Sequence, residues 1–384
     1  MRITDFLSWT AYEPTFKECA DLTPLEKSRA CQALKDLEAM LGRDFLKNMA
    51  ERYPDEWQTH PIFSLLLNFA PWTRKELTQI AEELLLLRQC DNFTQFLGHL
   101  KELQKVEHDL LVISTAARLV QQGLNISFEP TLPIAENQRQ PDLRIENPRS
   151  KELLFLEASV LGSAPDSGRA FRAMHKLLLP LMSLGSEMIW AGQLLKIPAT
   201  PHLEEISDAV TKAAERAKAE QRFVQSFEEG TYSIAFCPKE KAEVLEQWCS
   251  GLHVRPGELI GPNVDDSSID RLSRKICKEQ EQLPEQRPNV ILIKHADVFF
   301  RSSDIREVIN ILEEEVYKYP KILLAIIHGT HLGSSAPIVA SKGAHRYTRR
   351  FSNEVKGEDN LILVNRYASE KISADTLTKF FNVF

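Results

Sequence analysis

Apolar positions in the first hundred residues recur every three or four residues, which is the spacing of amphipathic helices. Residues 23–26 (TPLE) form a capping-box sequence with proline in the first turn, so they predict the start of a helix. Residues 73–76 (TRKE) form a second such sequence and predict a helix through Leu87. A third helical pattern begins near Asn92 and ends at Gly123.

The pattern changes after this helical part, where short apolar segments alternate with amphipathic ones. The apolar segments predict strands at 125–129, 142–145, 153–160, 188–197, 231–237, 289–295, 322–328 and 360–365. The amphipathic segments predict helices at 169–184, 202–227, 270–283 and 303–319, and from about 373. Strands that alternate with helices favour an α/β fold, in which a mixed central sheet is flanked by helices.

Two regions are expected from this pattern. Residues 1–105 are predicted as a helical N-terminal region, and residues 106–384 as an α/β domain. Residues 254–268 are rich in Gly, Pro, Asp and Ser, which predicts a loop and marks a candidate boundary inside the second region.

Composition narrows the class of protein. The 384 residues are 43% hydrophobic and 26% charged, which is typical of a folded globular chain. The net charge of −7 means that any contact with nucleic acid requires a local basic patch. Six scattered cysteines without a CxxC pair indicate free thiols in a reducing compartment. Neither a signal-peptide core nor an uncharged apolar run of about 20 residues is present, so we expect a cytoplasmic protein with no membrane partner.

Two acidic residues stand at the ends of neighbouring predicted strands. Asp142 opens one strand and Glu157 lies near the end of the next. A hairpin would bring the two carboxylates together at one sheet edge, and clustered carboxylates suit Mg²⁺ or Mn²⁺. Asp142 after proline also suits a turn. Glu157 is harder to explain structurally, because burying a carboxylate without a partner is costly.

This arrangement resembles the PD-(D/E)XK superfamily, which includes restriction endonucleases and Holliday-junction resolvases. The family pattern is a helix bearing Glu, then strands carrying Pro-Asp and Glu-x-Lys. Residues 141–142 (PD) match the first part and residues 157–159 (EAS) the second, with Ser159 in place of lysine. The resemblance implies a restriction-endonuclease-like core and metal-dependent phosphodiester hydrolysis, with Asp142 and Glu157 as catalytic metal ligands.

Two family residues have no direct match. Some members take the lysine from the following helix, so Lys176 is predicted as the catalytic lysine, with Arg172 next and also able to contact nucleic acid. The helix glutamate would fall near residues 112–113, which are not acidic, so Glu107 and Glu129 are the further metal-ligand candidates.

Basic residues in two other segments are candidates for contact with nucleic acid, the expected partner. Four share one face of a predicted helix, namely Arg271, Arg274, Lys275 and Lys278. Three belong to a basic and aromatic stretch, namely Arg346, Arg349 and Arg350. A solvated helix face explains the first four equally well, and an ordinary exposed loop is the favoured explanation of the last three.

Two functions follow from these observations. The first is a divalent-metal-dependent nuclease, acting in bacterial defence or nucleic-acid processing. The second is a catalytically inactive nuclease-like fold that binds nucleic acid, or that binds a protein partner through the N-terminal helices. Ser159 and the acidic net charge favour the second.

Overall fold

The computed structural model of the chain describes residues 7–54, 56–68, 70–130, 140–162, 165–182, 187–262, 268–295, 305–332, 338–342, 345–351 and 356–384. Contacts divide it into two compact units. The larger unit is Met1–Gly162 with Ile269–Phe384, and the smaller unit is Ser163–Ser268, inserted between these two segments. None of the described helices is both long and apolar enough to cross a lipid bilayer.

Seven helices precede the first strand of the larger unit. They are α1 (Glu13–Glu18), α2 (Pro24–Leu41), α3 (Phe45–Arg52), α4 (Pro61–Leu67), α5 (Pro71–Leu87), α6 (Phe93–Leu97) and α7 (Val106–Gln121). The predicted capping box of α2 is confirmed, because Thr23 and Glu26 each accept a hydrogen bond from the other's backbone amide. This reciprocal pairing satisfies amide groups that the first turn leaves without partners.

A mixed sheet of eight strands forms the centre of the larger unit, in the order β1-β2-β3-β8-β9-β12-β11-β10. The strands are β1 (Asn125–Phe128), β2 (Leu143–Glu146), β3 (Leu153–Leu161), β8 (Asn289–His295), β9 (Ile322–Leu332), β10 (Ile338–Lys342), β11 (His345–Phe351) and β12 (Lys356–Val364). Strands β3, β8 and β9 are parallel neighbours, and the remaining pairs are antiparallel. The predicted mixed α/β class is therefore confirmed.

Helices cover both faces of this sheet. One core joins the N-terminal helices and α13 (Ala374–Val383) to one sheet face, including Leu156 and Leu292. A second core joins α11 (Ser268–Glu279) and α12 (Ile305–Tyr317) to the other face, including Phe155 and Ile293. The N-terminal helices share one core with the sheet, and the second compact unit is the inserted segment Ser163–Ser268.

The smaller unit has its own sheet, in the order β5-β6-β4-β7. Its elements are α8 (Pro165–Met182), β4 (Met188–Leu194), α9 (Thr200–Glu220), β5 (Val224–Glu228), β6 (Tyr232–Pro238), α10 (Ala242–Leu252) and β7 (Leu259–Ile260). The helix predicted to run to residue 227 ends earlier, because Gln221 adopts a left-handed conformation at its C-terminus. The following residues pair with β6 instead.

Two other predictions in the helical part need correction. Helix α5 begins at Pro71, before the second predicted box, and the Thr73 hydroxyl donates to the carbonyl of Asn68 at 2.8 Å. The third predicted helix is interrupted between α6 and α7. The interruption contains Leu100, whose carbonyl hydrogen-bonds to the buried ring of His60 at 2.9 Å.

Candidate active site

Asp142 and Glu157 lie close enough for their charges to interact, where β2 begins beside β3. The last pair of the two strands is Leu143 with Leu156, so beyond it β3 has no strand partner on this side. Asp142, immediately before β2, fills the vacant position with its side chain. Its Oδ2 accepts a hydrogen bond of 2.7 Å from the Ala158 amide. The predicted proximity of Asp142 to the Glu157 segment is thus present, and the carboxylate takes the place of a strand partner.

His108, in the first turn of α7, completes this arrangement. Its Nε2 lies 3.3 Å from Asp142 Oδ2 and 3.2 Å from the Ala158 carbonyl oxygen, and its Nδ1 lies 3.0 Å from Asp109 Oδ1. Burial alone would lower the pKa of His108, but hydrogen bonds and charge attraction from the two aspartates raise it to about 10. The side chain is therefore an imidazolium with both nitrogens donating, and two oxygens converge on Nε2.

Glu157 is buried on the opposite sheet face from the N-terminal helices, since it has the same alternation as Phe155. Only 6% of the residue is exposed, and its Oε2 has no hydrogen-bond partner among the described residues. Burial raises the pKa of Glu157 well above its usual range, and the nearby charges of Asp142 and Glu279 raise it further. Glu157 therefore holds a proton at neutral pH.

Ser159, in the position where the resemblance would place lysine, points to the same face. Its hydroxyl donates to Glu279 Oε1 at 3.1 Å, and the ammonium of Lys275 lies 2.7 Å from the same oxygen. Gln282 hydrogen-bonds to the other Glu279 oxygen. Helix α11 thus brings a lysine to the position of Ser159, with one carboxylate between them.

Oxygen donors in this site suit a hard divalent cation. The described residues contain no group of three or more His, Cys, Asp or Glu side chains arranged as a ready ligand set. Mg²⁺ does not need one, because it keeps several waters and is often bound by one or two carboxylates. The unpartnered Oε2 of Glu157 and the converging oxygens of Asp142 and Ala158 fit such an ion.

The other predicted site residues make contacts of their own. Lys176 and Arg172 belong to the smaller unit, where Lys176 pairs with Glu204 and Arg172 is exposed. The Glu129 amide donates to the Asp142 carbonyl at 2.8 Å, but the Glu129 carboxylate lies 3.7 Å from the ring of His99. The structure therefore joins Glu129 to Asp142 through the backbone alone.

Glu107 is an exposed residue in the first turn of α7. A cavity of about 460 Å³ opens beside it and is also lined by Thr59, His108, Ser159 and Val160. Glu107 thus lines the same cavity as His108 and Ser159.

The predicted nucleic-acid contacts fall on two elements. On α11, Arg274 and Lys278 are exposed, while Arg271 donates to the Gly162 carbonyl. The segment expected as a basic stretch or exposed loop is strand β11, where the Arg346 guanidinium stacks over the ring of Phe381 at 5.0 Å. The backbones of Arg349 and Arg350 belong to β11, and their side chains lie outside the described part.

Three residues of the site escaped the sequence analysis, namely His108, Asp109 and Glu279. His108 and Asp109 follow Glu107 directly in the sequence. They lie about one helical turn before residues 112–113, where the acidic helix residue was expected. An adjacent His and Asp at a helix start was the available signal. Glu279 had none, because its role depends on α11 returning to β3 after an insertion of about a hundred residues.

No family model matches this chain, and no curated protein matches it. The resemblance therefore rests on the site residues and on the order of the elements that carry them.

Proposed function

We propose that this protein hydrolyses phosphodiester bonds of nucleic acid with the help of a divalent cation, Mg²⁺ or Mn²⁺, held at Asp142 and Glu157. The observation that carries the proposal is the convergence of Asp142 Oδ2 and the Ala158 carbonyl on one cationic atom, His108 Nε2. A buried carboxyl oxygen of Glu157 lies without a partner on the adjacent residue. The sheet edge thus presents oxygens suited to a cation.

Asp142, Glu157 and the Ala158 carbonyl would hold the ion. A bound divalent cation polarises a phosphoryl oxygen and lowers the pKa of an attacking water. Glu157 would give up its proton on binding the ion, since its pKa is raised by burial and by the charges of Asp142 and Glu279, which outweigh the opposing charge of His108.

Lys275 supplies the positive charge that Ser159 cannot provide. Its ammonium and the Ser159 hydroxyl share one oxygen of Glu279, so the lysine is fixed beside the strand that carries Glu157. In this position it orients a water or stabilises charge on the phosphate. Lys176 stays the alternative source of this charge.

A second candidate function is supported by the same histidine. His108 already pairs with Asp142 and with the Ala158 carbonyl, so both oxygens have a partner without an added ion. A nuclease-like fold in which His108 permanently replaces the metal would act as a nucleic-acid- or protein-binding module.

Cleavage assays separate the two. Labelled single- and double-stranded DNA and RNA are incubated with wild type, Asp142→Asn, Glu157→Gln and the exposed control Glu281→Gln, with Mg²⁺, Mn²⁺ or EDTA. The nuclease proposal expects metal-dependent cleavage that falls at least about a hundredfold in the first two variants and stays in the control. Cleavage that survives both substitutions would contradict it. Salt-sensitive binding without cleavage would favour the binding module.

A further inference from the structure

A second cavity, of about 440 Å³, lies in the larger unit between helices α4, α5 and α7 and strands β8, β9 and β12. It shares Thr59 and Glu107 with the cavity beside His108, so the two are neighbours. Its volume is in the range of small-molecule sites. The nuclease proposal does not use this cavity.

One wall of the cavity is apolar. Ile80 of α5 and Leu110 and Leu111 of α7 contribute to it, and the partly exposed indole of Trp72 adds a flat aromatic side chain. Aromatic side chains bind the faces of planar rings well, and each stacked base contributes favourably whatever its identity.

Glu83 of α5 is the polar group of the lining that can accept a further hydrogen bond. The residue is 9% exposed and lines the cavity. Its Oε1 accepts hydrogen bonds from Gln79 at 2.8 Å and Ser114 at 3.3 Å, whereas Oε2 has no partner in the described part of the chain. Oε2 can therefore accept a hydrogen bond from a ligand N–H group that enters the cavity.

The charges of the lining select the kind of ligand. Arg118 is held by Glu358 through two hydrogen bonds of 2.7 and 2.6 Å, so its charge is already matched. Acidic side chains outnumber basic ones among the Glu, Lys and Arg residues of the lining, which are Glu76, Glu83, Glu107, Glu358, Arg118 and Lys294. A phosphate group is therefore disfavoured here, and a neutral ring that donates hydrogen bonds is favoured.

We infer that this cavity takes one unpaired nucleobase carrying an exocyclic amino group, stacked on Trp72 and donating to Glu83. The inference rests on the proposed function, because it treats the base as part of a nucleic-acid strand whose backbone lies at the neighbouring carboxylate site. It adds a preference for single-stranded or distorted substrate, since a paired base cannot enter a cavity.

Nucleoside binding tests this inference without cleavage. Adenosine, cytidine, guanosine, uridine and inorganic phosphate are titrated in EDTA and followed by saturation-transfer NMR of the ligands. The variants are Glu83→Gln and Trp72→Ala, and Glu82→Gln is the matched control, because Glu82 is an exposed neighbour on α5 that pairs with Arg29. Two independent variants keep the test informative where one fails to fold.

The inference expects saturable binding of the three amino-bearing nucleosides at roughly 1 mM or tighter. It expects at least about tenfold weaker binding in both cavity variants, unchanged binding in Glu82→Gln, and no binding of phosphate. Wild-type protein that binds none of them, or cavity variants that bind as well as wild type, would overturn it. If the protein binds nucleosides but does not cleave nucleic acid, the proposed nuclease function is contradicted and the nucleobase site stands. If it cleaves nucleic acid but binds no nucleoside, only the nucleobase site is contradicted.

Discussion

The Asp142 carboxylate accepts a hydrogen bond of 2.7 Å from the amide of Ala158, at the point where β2 no longer accompanies β3. The same oxygen lies 3.3 Å from the imidazolium of His108. Asp142 thus has a structural role, since it accepts the hydrogen bond of a strand amide, in addition to its proposed role as a metal ligand. A mutational test must separate the structural role from metal binding.

Asp142→Ala is expected to destabilise the protein, whereas Asp142→Asn is expected to cost much less. The alanine leaves the buried Ala158 amide without an acceptor, at about 1–3 kcal/mol, while an asparagine oxygen still accepts it. Urea unfolding of both variants in EDTA measures the difference. Equal stability of the two variants would show that the amide does not depend on this side chain.

Lys275 and Lys176 are predicted to behave differently. Lys275→Gln is expected to lower the cleavage rate about a hundredfold, because the substitution removes the proposed catalytic charge. The Lys275 ammonium and the Ser159 hydroxyl contact the same oxygen of Glu279. Lys278→Gln, an exposed control on the same helix, should leave the rate unchanged. Lys176→Gln, made in parallel, should also have little effect. A large loss in Lys176→Gln alone would assign the charge to Lys176 instead.

His108→Gln is predicted to strengthen Mn²⁺ binding by roughly tenfold, because it removes a positive charge that competes with the ion for Asp142. Isothermal titration at neutral pH measures the dissociation constant. His202→Gln serves as the control, since His202 also lies between two carboxylates but belongs to the smaller unit. Unchanged or weaker Mn²⁺ binding in His108→Gln would mean that the histidine assists the ion and does not compete with it.

Glu152 is predicted to make stability depend on pH. Burial would raise its pKa, but hydrogen bonds from Ser150, Ser373 and Thr376 outweigh this effect and lower the pKa to about 2. A carboxyl whose pKa is lower in the folded state stabilises the protein above the unfolded pKa, and this contribution is lost as pH falls towards 2. Thermal unfolding should show Glu152→Gln less stable than wild type near pH 7, with the difference shrinking below about pH 4.5. A difference that does not change with pH would contradict the assignment.

The elements predicted correctly are those that depend on residues close together in the sequence. The capping box at Thr23 and the apolar strand 289–295 are local patterns, and both appear as expected. The helix predicted at 202–227 was too long, because no glycine or proline in the sequence marks its true end. Residues 224–228 form a strand by pairing with β6, which is a contact that the local pattern does not indicate. Strand β11 was missed for a similar reason, since its many charged residues resemble an exposed segment.

The site was predictable only in part. Asp142 directly precedes β2 and Glu157 lies on the next strand, β3, so their proximity follows from a short hairpin. Glu279 and Lys275 come from a helix that follows the whole inserted unit, and no spacing along the chain indicates that they reach Ser159. A lysine chosen from the next helix in sequence, Lys176, therefore fell in the smaller unit.

Direct measurement of Mn²⁺ binding tests the central claim that Asp142 and Glu157 form a divalent-cation site. The protein is titrated with Mn²⁺ while electron paramagnetic resonance follows the free ion. We predict saturable binding by wild type and by Glu281→Gln, with binding lost or at least about tenfold weaker in Asp142→Asn and in Glu157→Gln. A wild-type protein that binds no Mn²⁺, or variants that bind it as tightly as wild type, would contradict the proposed site.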